Sequence, residues 1–230
     1  LKRNAGKLTL EDLARFVDSF DSLDRLLYRI EKQSQNFFAQ IHKNWDDIRN
    51  RFLDSDKLNK IMGGFGNRKE KMTLDLGSGT GFIAIHCALN GNTVFSVDLN
   101  KAMLSKQMEV KNKLNLNNQY LFQADINKLP FVNYRFDEVF LTLVLHHISD
   151  PPGMLKNVAK MVDKNGILII IDFIRHSNRR FADQMHDLWL GFNPDNLQKW
   201  LKPAGLRCEN EYVWHSASQI DIFCQVYRKN

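Results

Sequence analysis

The feature that most constrains the fold is LDLGSGTG at Leu74 to Gly81, where an apolar strand-sized run, Met72 to Leu76, passes directly into glycines alternating with small residues. Glycine accepts the positive φ angles of a sharp strand-to-helix turn, and lacking a Cβ it lets a ligand approach the main chain. The carboxyl end of a strand is where open α/β sheets bind ligands. The chain then repeats the theme. Apolar runs at Thr93 to Val97, Gln119 to Gln123, Glu138 to Leu143 and Ile167 to Asp172 alternate with helix-sized segments such as Phe82 to Leu89 and Lys101 to Val110. Strands apolar on both faces and separated by helices belong in a parallel sheet. The last two runs, Leu206 to Trp214 and Gln219 to Arg228, are joined only by His215 to Ser218, a link that permits antiparallel pairing alone. The pattern predicts an α/β, Rossmann-like seven-stranded sheet: five parallel strands plus a C-terminal antiparallel hairpin, with helices on both faces.

Ahead of the sheet lies a different texture. From Leu8 to Leu58 there is no Gly or Pro, and apolar residues recur at helical spacing, as in Leu13, Phe16, Val17 and Phe20, then Leu23, Leu26, Leu27 and Ile30, then Phe37, Phe38 and Ile41. This reads as an N-terminal helical arm, with Thr9 and Asp12 placed as a cap and a first-turn acid. The run MGGFGNRKEK at Met62 to Lys71 reads as a loop, so the arm is assigned to residues 1–66 and the sheet domain to 67–230. Positions 1–71 hold 15 basic and 11 acidic residues, hence four of the six net positive charges. A solvated helical face of alternating sign explains that excess, and a nucleic-acid contact is the alternative.

Three cysteines, Cys87, Cys208 and Cys224, without a C-x-x-C pair argue against a disulfide framework and a zinc site, and fit a reducing cytoplasm. No apolar run approaches the roughly 18 residues of a membrane span. No secretory signal is visible, although the chain begins at Leu1, so upstream sequence stays open.

The glycine spacing is G-x-G-x-G. In the dinucleotide pattern G-x-G-x-x-G the third glycine would fall on Phe82. Asp98 closes the second strand, 21 residues beyond Gly77, where a carboxylate can accept two hydrogen bonds from a ribose diol. Its other reading is a cap on the following helix. Met103, in the first turn of that helix, is suited to an adenine face or to the core, and Asp125 follows the third strand. Three acids at three successive strand ends beside this loop resemble the motifs of class I, UbiE-like methyltransferases that use S-adenosyl-L-methionine (SAM). The resemblance implies SAM as cofactor, held by Asp75, Gly77, Ser78, Gly79, Gly81, Asp98, Leu99, Met103, Asp125, Ile126 and Leu141. It implies Asp98 on the ribose, Asp125 and Ile126 at the adenine, and the backbone of Leu141 and Thr142 at the methionine end.

His146 and His147 follow the fourth strand and are candidate catalytic residues, either as proton acceptors or as part of the cofactor shell. No partner set with ligand spacing accompanies them, so no metal is expected. Asp150-Pro151-Pro152 lacks the tyrosine of the amino-methylating D-P-P-Y motif and reads as a helix start. The acceptor pocket is expected from two regions: the arm, with Phe37, Phe38, His42 and Trp45, and the segment Asp172 to Phe192, with Arg175, Arg179, Arg180, His186 and Trp189. Aromatic and basic groups together suit an anionic or conjugated small molecule, while amphipathic packing explains the aromatic spacing equally well.

QNFFAQIHKNWDDIR at Gln35 to Arg49 and HDLWLGFNPDNLQKWLKPAGL at His186 to Leu206 resemble, more narrowly, the methyltransferase half of proteins fused to an ArsR-type winged-helix repressor domain. The winged helix itself is missing. Arsenite as acceptor is disfavoured, because only Cys87 lies near the cofactor loop. The expected activity is methyl transfer to a small molecule such as a quinone-type ring by in-line displacement. The alternative is a SAM-binding regulator that contacts nucleic acid through the basic arm or a missing domain. A homodimer is left open.

Overall fold

The computed structural model describes residue 25 and residues 32–63, 70–129, 131, 133–215 and 220–230. The candidate cap at Thr9 and the apolar positions from Leu13 to Leu23 and from Leu26 to Ile30 lie outside the described residues. Seven strands, β1 (Met72–Leu76), β2 (Thr93–Asp98), β3 (Gln119–Gln123), β4 (Phe136–Thr142), β5 (Val162–Phe173), β6 (Leu206–Trp214) and β7 (Ile222–Lys229), form one sheet. Their order is β3-β2-β1-β4-β5-β7-β6. The first five run parallel, and β7 pairs antiparallel with both β5 and β6. This is the predicted sheet, hairpin included.

Side chains on the central strands alternate between two cores, as a period of two requires. Leu74, Leu76, Val139, Leu141, Leu168 and Ile170 face one side, where helices α6 (Pro151–Met161) and α8 (Pro194–Leu201) supply Leu155, Val158, Leu197 and Leu201. Phe140, Ile167, Ile169 and Ile171 face the other, against α4 (Phe82–Leu89). The second core also takes in Phe52, Leu53, Leu58 and Ile61, all at most 4% exposed, the last two from helix α3 (Ser55–Gly63). Burial of such a side chain contributes roughly 1.5–3 kcal/mol, so this end of the arm is bound firmly to the sheet. Ahead of α3 come a helix over 32–41 (α1) and α2 (Trp45–Asn50). The Gly- and Pro-free stretch is therefore helical in its described part, but in short pieces and not as one rod.

Several boundaries differ from the sequence reading. The second strand closes on Asp98, as expected, while α5 (Lys101–Lys113) runs three residues further than expected. Strand β5 is assigned from Val162, yet its ladder with β4 slips between Phe136 and Glu138, and Asn165 turns with φ +62. Asp150 caps α6, its carboxylate accepting from the Gly153 amide at 3.1 Å with prolines in the first turn. The remaining helix, α7 (Arg179–Met185), lies in the segment after β5. No helix among the described residues is long and apolar enough to cross a membrane.

Candidate functional site

A cavity opens at the carboxyl ends of β1, β2 and β4, under α1 and α2. The glycine loop is its floor. Gly77, Gly79 and Gly81 have φ of +68, +53 and +93, angles an L side chain resists. A Cβ on Gly77 would lie 2.1 Å from Cγ2 of Val144, so this glycine lets the β4 exit cross the loop. A Cβ on Gly81 would meet Gln107 of α5 at 2.6 Å. Gln107 in turn holds Ser78 Oγ at 3.1 Å and Ser96 Oγ at 2.8 Å, a buried network that fixes the loop from below.

Nine of the eleven cofactor candidates line the cavity: Asp75, Gly77, Ser78, Gly79, Asp98, Leu99, Met103, Asp125 and Ile126. Gly81 and Leu141 do not. Gly81 begins α4 and serves the Gln107 contact, while Leu141 points into the apolar core. Thr142, expected beside Leu141 at this strand end, does line the wall, together with Leu143 and Val144, because β4 ends at Thr142 and Leu143 then takes φ +53, turning the chain into the site. A buried leucine with positive φ is strained, a feature that collects at functional sites.

The three strand-end acids are not equivalent. Asp98 accepts from the Gly79 amide at 2.8 Å and the Asn100 amide at 2.7 Å, one on each oxygen. Asn100, not Asp98, caps α5, accepting from the Ala102 and Met103 amides. This removes the capping alternative for Asp98 and leaves its remaining lone pairs for the cavity. Burial raises its pKa, and the Asn100, Gly79 and Leu99 amides offset that rise only in part. Asp125 caps a short turn through Asn127 N at 2.8 Å. Asp75 is 1% exposed and its Oδ2 has no hydrogen-bond partner. Burial pushes its carboxyl up to about 7, the Ala84 amide working against the rise and the Asp98 charge adding to it.

Opposite stands α2. Asp46 accepts from Thr80 Oγ1 at 2.6 Å and Lys106 Nζ at 2.8 Å, tying this helix to the glycine loop and to α5. Burial would raise the Asp46 pKa, but the Lys106 and Thr80 hydrogen bonds and the Arg49 charge outweigh it and hold it low. Arg49 is 7% exposed, its guanidinium lies 3.6 Å over the Phe82 ring, and its Nε has no hydrogen-bond partner. Sequence reasoning counted Arg49 among solvated arm charges; only the docking of α2 turns it into the cavity. Asn100 Nδ2 donates to Gln35 O at 3.0 Å, anchoring α1 in the same way.

Of the acceptor candidates, Trp45 lines the cavity, while Phe37, Arg175, His186 and Trp189 do not. Phe37 packs on His186 with ring centroids 5.0 Å apart, so the two expected regions do meet, one layer behind the wall. Phe38, also on the wall, stands edge-on to Trp45 and to His147, each at 5.1 Å. Arg175 is exposed, and Trp189 donates its indole N–H to Ile148 O at 2.7 Å.

The histidines separate. His147 lines the cavity. Burial, with the His146 charge behind it, keeps His147 neutral, well below the usual histidine range. His146 is 2% exposed, outside the cavity lining, with Nδ1 2.8 Å from Asp172 Oδ1, so of the two roles expected for it the geometry favours a positioning place in the shell over proton acceptance. Burial disfavours its charge, yet Asp172 and Asp187 outweigh burial and raise its pKa. Asp187, which the sequence reading passed over, approaches both rings. Cys87 is fully buried and its thiol is pushed well above the usual range, so no thiolate serves the site.

The cavity thus holds an orphaned carboxylate oxygen, an orphaned guanidinium N–H and a strand-end carboxylate with lone pairs to spare. These fit the ammonium, carboxylate and ribose diol of SAM. The comparisons agree with that geometry. The family described as "Methyltransferase domain" matches residues 67–215. The "Ubiquinone biosynthesis O-methyltransferase" of Coxiella burnetii is 28% identical over 158 residues, covering 60% of this chain and 64% of that protein; the match thus spans less than two thirds of that relative's length. A SAM-dependent methyltransferase from Aquifex aeolicus superposes with TM-score 0.66 at 21% identity, over 84% of this chain and 98% of that one. Magnesium protoporphyrin IX methyltransferase from Synechocystis PCC 6803, solved with bound SAM, superposes with TM-score 0.62 at 17% identity, over 76% and 77%. These structural likenesses establish the shared fold, and the domain match establishes more: the chain belongs to the methyltransferase-domain family, on the seven-stranded fold of the SAM-dependent enzymes.

Proposed function

We propose that this chain transfers a methyl group from SAM to a small conjugated acceptor carrying a hydroxyl group. The observation that carries the reading is the presence, in one cavity, of Asp75 Oδ2 and Arg49 Nε without partners beside the Asp98 carboxylate. Asp75 holds the cofactor's ammonium, Arg49 its carboxylate, and Asp98 its ribose hydroxyls, while Met103, Asp125 and Ile126 border the adenine. SAM supplies an activated methyl group on a sulfonium. The chain's task is then to orient the acceptor in line and exclude water, which is worth several kcal/mol of a barrier of this kind, up to about 7–11. Phe38, Trp45, Ile148 and the His147 ring line the wall suited to hold a flat acceptor, and the "Ubiquinone biosynthesis O-methyltransferase" relative supports a ring hydroxyl as the methylated group.

Incubation with labelled SAM and a panel of quinols, phenols and thiols tests this. Transfer to a ring hydroxyl is expected. SAM binding without transfer to any of them would favour the regulatory reading. The narrower kinship with winged-helix fusions is supported by the contact between its two signature segments at Phe37 and His186. On that reading a DNA contact belongs to the longer protein and to the basic arm, and a salt-dependent shift of duplex DNA tests it. Three free cysteines support a cytoplasmic setting. Sedimentation at several concentrations reads out whether two chains pair.

A further inference from the structure

We propose that His146, His147 and Asp187 form a binding site for one divalent transition-metal ion, zinc being the best match, in the wall of the cavity. The Nε2 atoms of the two rings lie 3.5 Å and 3.7 Å from the same oxygen, Asp187 Oδ1, and the three donor atoms fall within 4.8 Å of one another. Tetrahedral zinc at about 2.0–2.1 Å from nitrogen and oxygen ligands sets those ligands roughly 3.3 Å apart. Both histidine–aspartate separations are within a few tenths of an ångström of that spacing.

The hydrogen bonds behind the rings argue the same way. His147 Nδ1 lies 3.3 Å from the His186 carbonyl, which can only accept, so Nδ1 carries the proton and Nε2 presents a lone pair. That lone pair faces a carboxylate oxygen. Neither His147 Nε2 nor either oxygen of Asp187 has a hydrogen-bond partner among the described residues, although the Asp187 side chain is 0% exposed. Two acceptors buried face to face need a cation or a shared proton between them. His146 Nδ1 is held by Asp172, which also accepts from the Leu145 and Phe173 amides at 2.9 and 2.7 Å. A histidine whose second nitrogen is held by a carboxylate or carbonyl is the usual outer-shell arrangement of a metal ligand. The Leu188 and Trp189 amides donate to His146 O at 3.0 and 3.1 Å, locking the Asp187 loop to the histidine turn. Sequence spacing hides the set, because Asp187 stands 40 positions beyond His147. Three protein ligands leave a fourth position, and His147 belongs to the cavity wall. If methyl transfer to a hydroxyl is the reaction, that position would take the acceptor oxygen and lower its pKa. The site itself does not depend on that reading.

The test uses the full chain, stripped with chelator, titrated with zinc chloride by calorimetry and with cobalt chloride by visible absorption. One zinc per chain and the intense d–d bands of four-coordinate cobalt are expected. Asp187→Asn and His147→Gln should each weaken zinc binding by ~100-fold, and Asp172→Asn by about 10-fold, the range known for outer-shell partners. His86→Gln, on α4, should change nothing. Circular dichroism of each variant shows that it is folded. Absence of stoichiometric zinc, equal binding by the wild type and a folded Asp187→Asn or His147→Gln, or a six-coordinate cobalt spectrum would overturn the proposal. The triangle would then hold only a shared proton.

Discussion

The two walls of the cavity differ in how far their polar groups are already satisfied. On the strand-end wall Asp98 is braced by two backbone amides and Ser78 by Gln107, so the shape exists before any ligand arrives. On the facing wall Arg49 Nε is buried without a partner, and at the β4 exit so are His147 Nε2 and, behind it, the Asp187 oxygens. Native interiors pair nearly all such atoms, and leaving one unpaired costs about 1–3 kcal/mol. Satisfied groups therefore set the geometry, and orphaned ones mark where charge has to come from outside. On the braced wall Asp75 Oδ2 and Thr142 Oγ1 are likewise without partners, and both residues line the same cavity as Arg49.

The sharpest way to break the braced wall is Gly77→Val, which combines a forbidden φ with a Cβ placed 2.1 Å from Val144. Loss of SAM binding by more than ~100-fold, with a thermal midpoint lowered by several degrees, is expected from a strained overpacking that costs typically 1–3 kcal/mol of stability. Calorimetry and a melting curve read both. Next come Asp98→Ala and Arg49→Gln, one from each wall. Each should weaken SAM binding by about 10-fold or more, the loss of a charge-assisted hydrogen bond. If only Asp98 mattered, the facing wall would lose its role in binding the cofactor.

Asp75→Asn separates stability from function. The folded pKa of about 7 lies above the ordinary 3.8, so the fold binds the proton more tightly than the unfolded chain does. Stability from this group is full below about pH 4 and is lost as pH rises to 7. The amide cannot ionise. The ligand-free variant should therefore melt several degrees higher than wild type at pH 8 and much the same at pH 4, while binding SAM more weakly. Equal melting at both pH values would show that Asp75 is not strained by burial. The smallest effect is expected for Asp46→Ala, which frees α2 from Thr80 and Lys106. Because Asp46 is partly exposed, a few-fold loss in SAM affinity is anticipated from looser placement of Arg49.

What could be read from the sequence follows the same division. The glycine loop, the strand ends and the hairpin are local patterns, and the sheet adopts them nearly residue for residue. The facing wall depends on how helices dock. Nothing in WDDIRN distinguishes Arg49, which turns inward over Phe82, from its solvated neighbours. Likewise Leu141 and Thr142 are the expected strand end, and only the positive φ of Leu143, which no local pattern announces, carries the wall on to Val144. Phe37 and His186 belong to the right neighbourhood but lie one layer behind the wall expected to hold them, since periodicity locates a helix face without saying what it abuts. Asp187 joins the histidines only through a loop that hydrogen-bonds to His146 O.

The central claim is that the cavity is built for a zwitterionic nucleoside cofactor, with Asp75 waiting for its cation. Calorimetric titration of SAM from pH 8 to pH 6, in buffers of different ionisation enthalpy, tests it most directly. One site per chain, affinity falling about fivefold between pH 7 and pH 6, and proton release on binding are expected for a carboxyl titrating near 7 that must ionise to bind. Absence of binding, or an affinity and heat indifferent to pH and buffer, would contradict it.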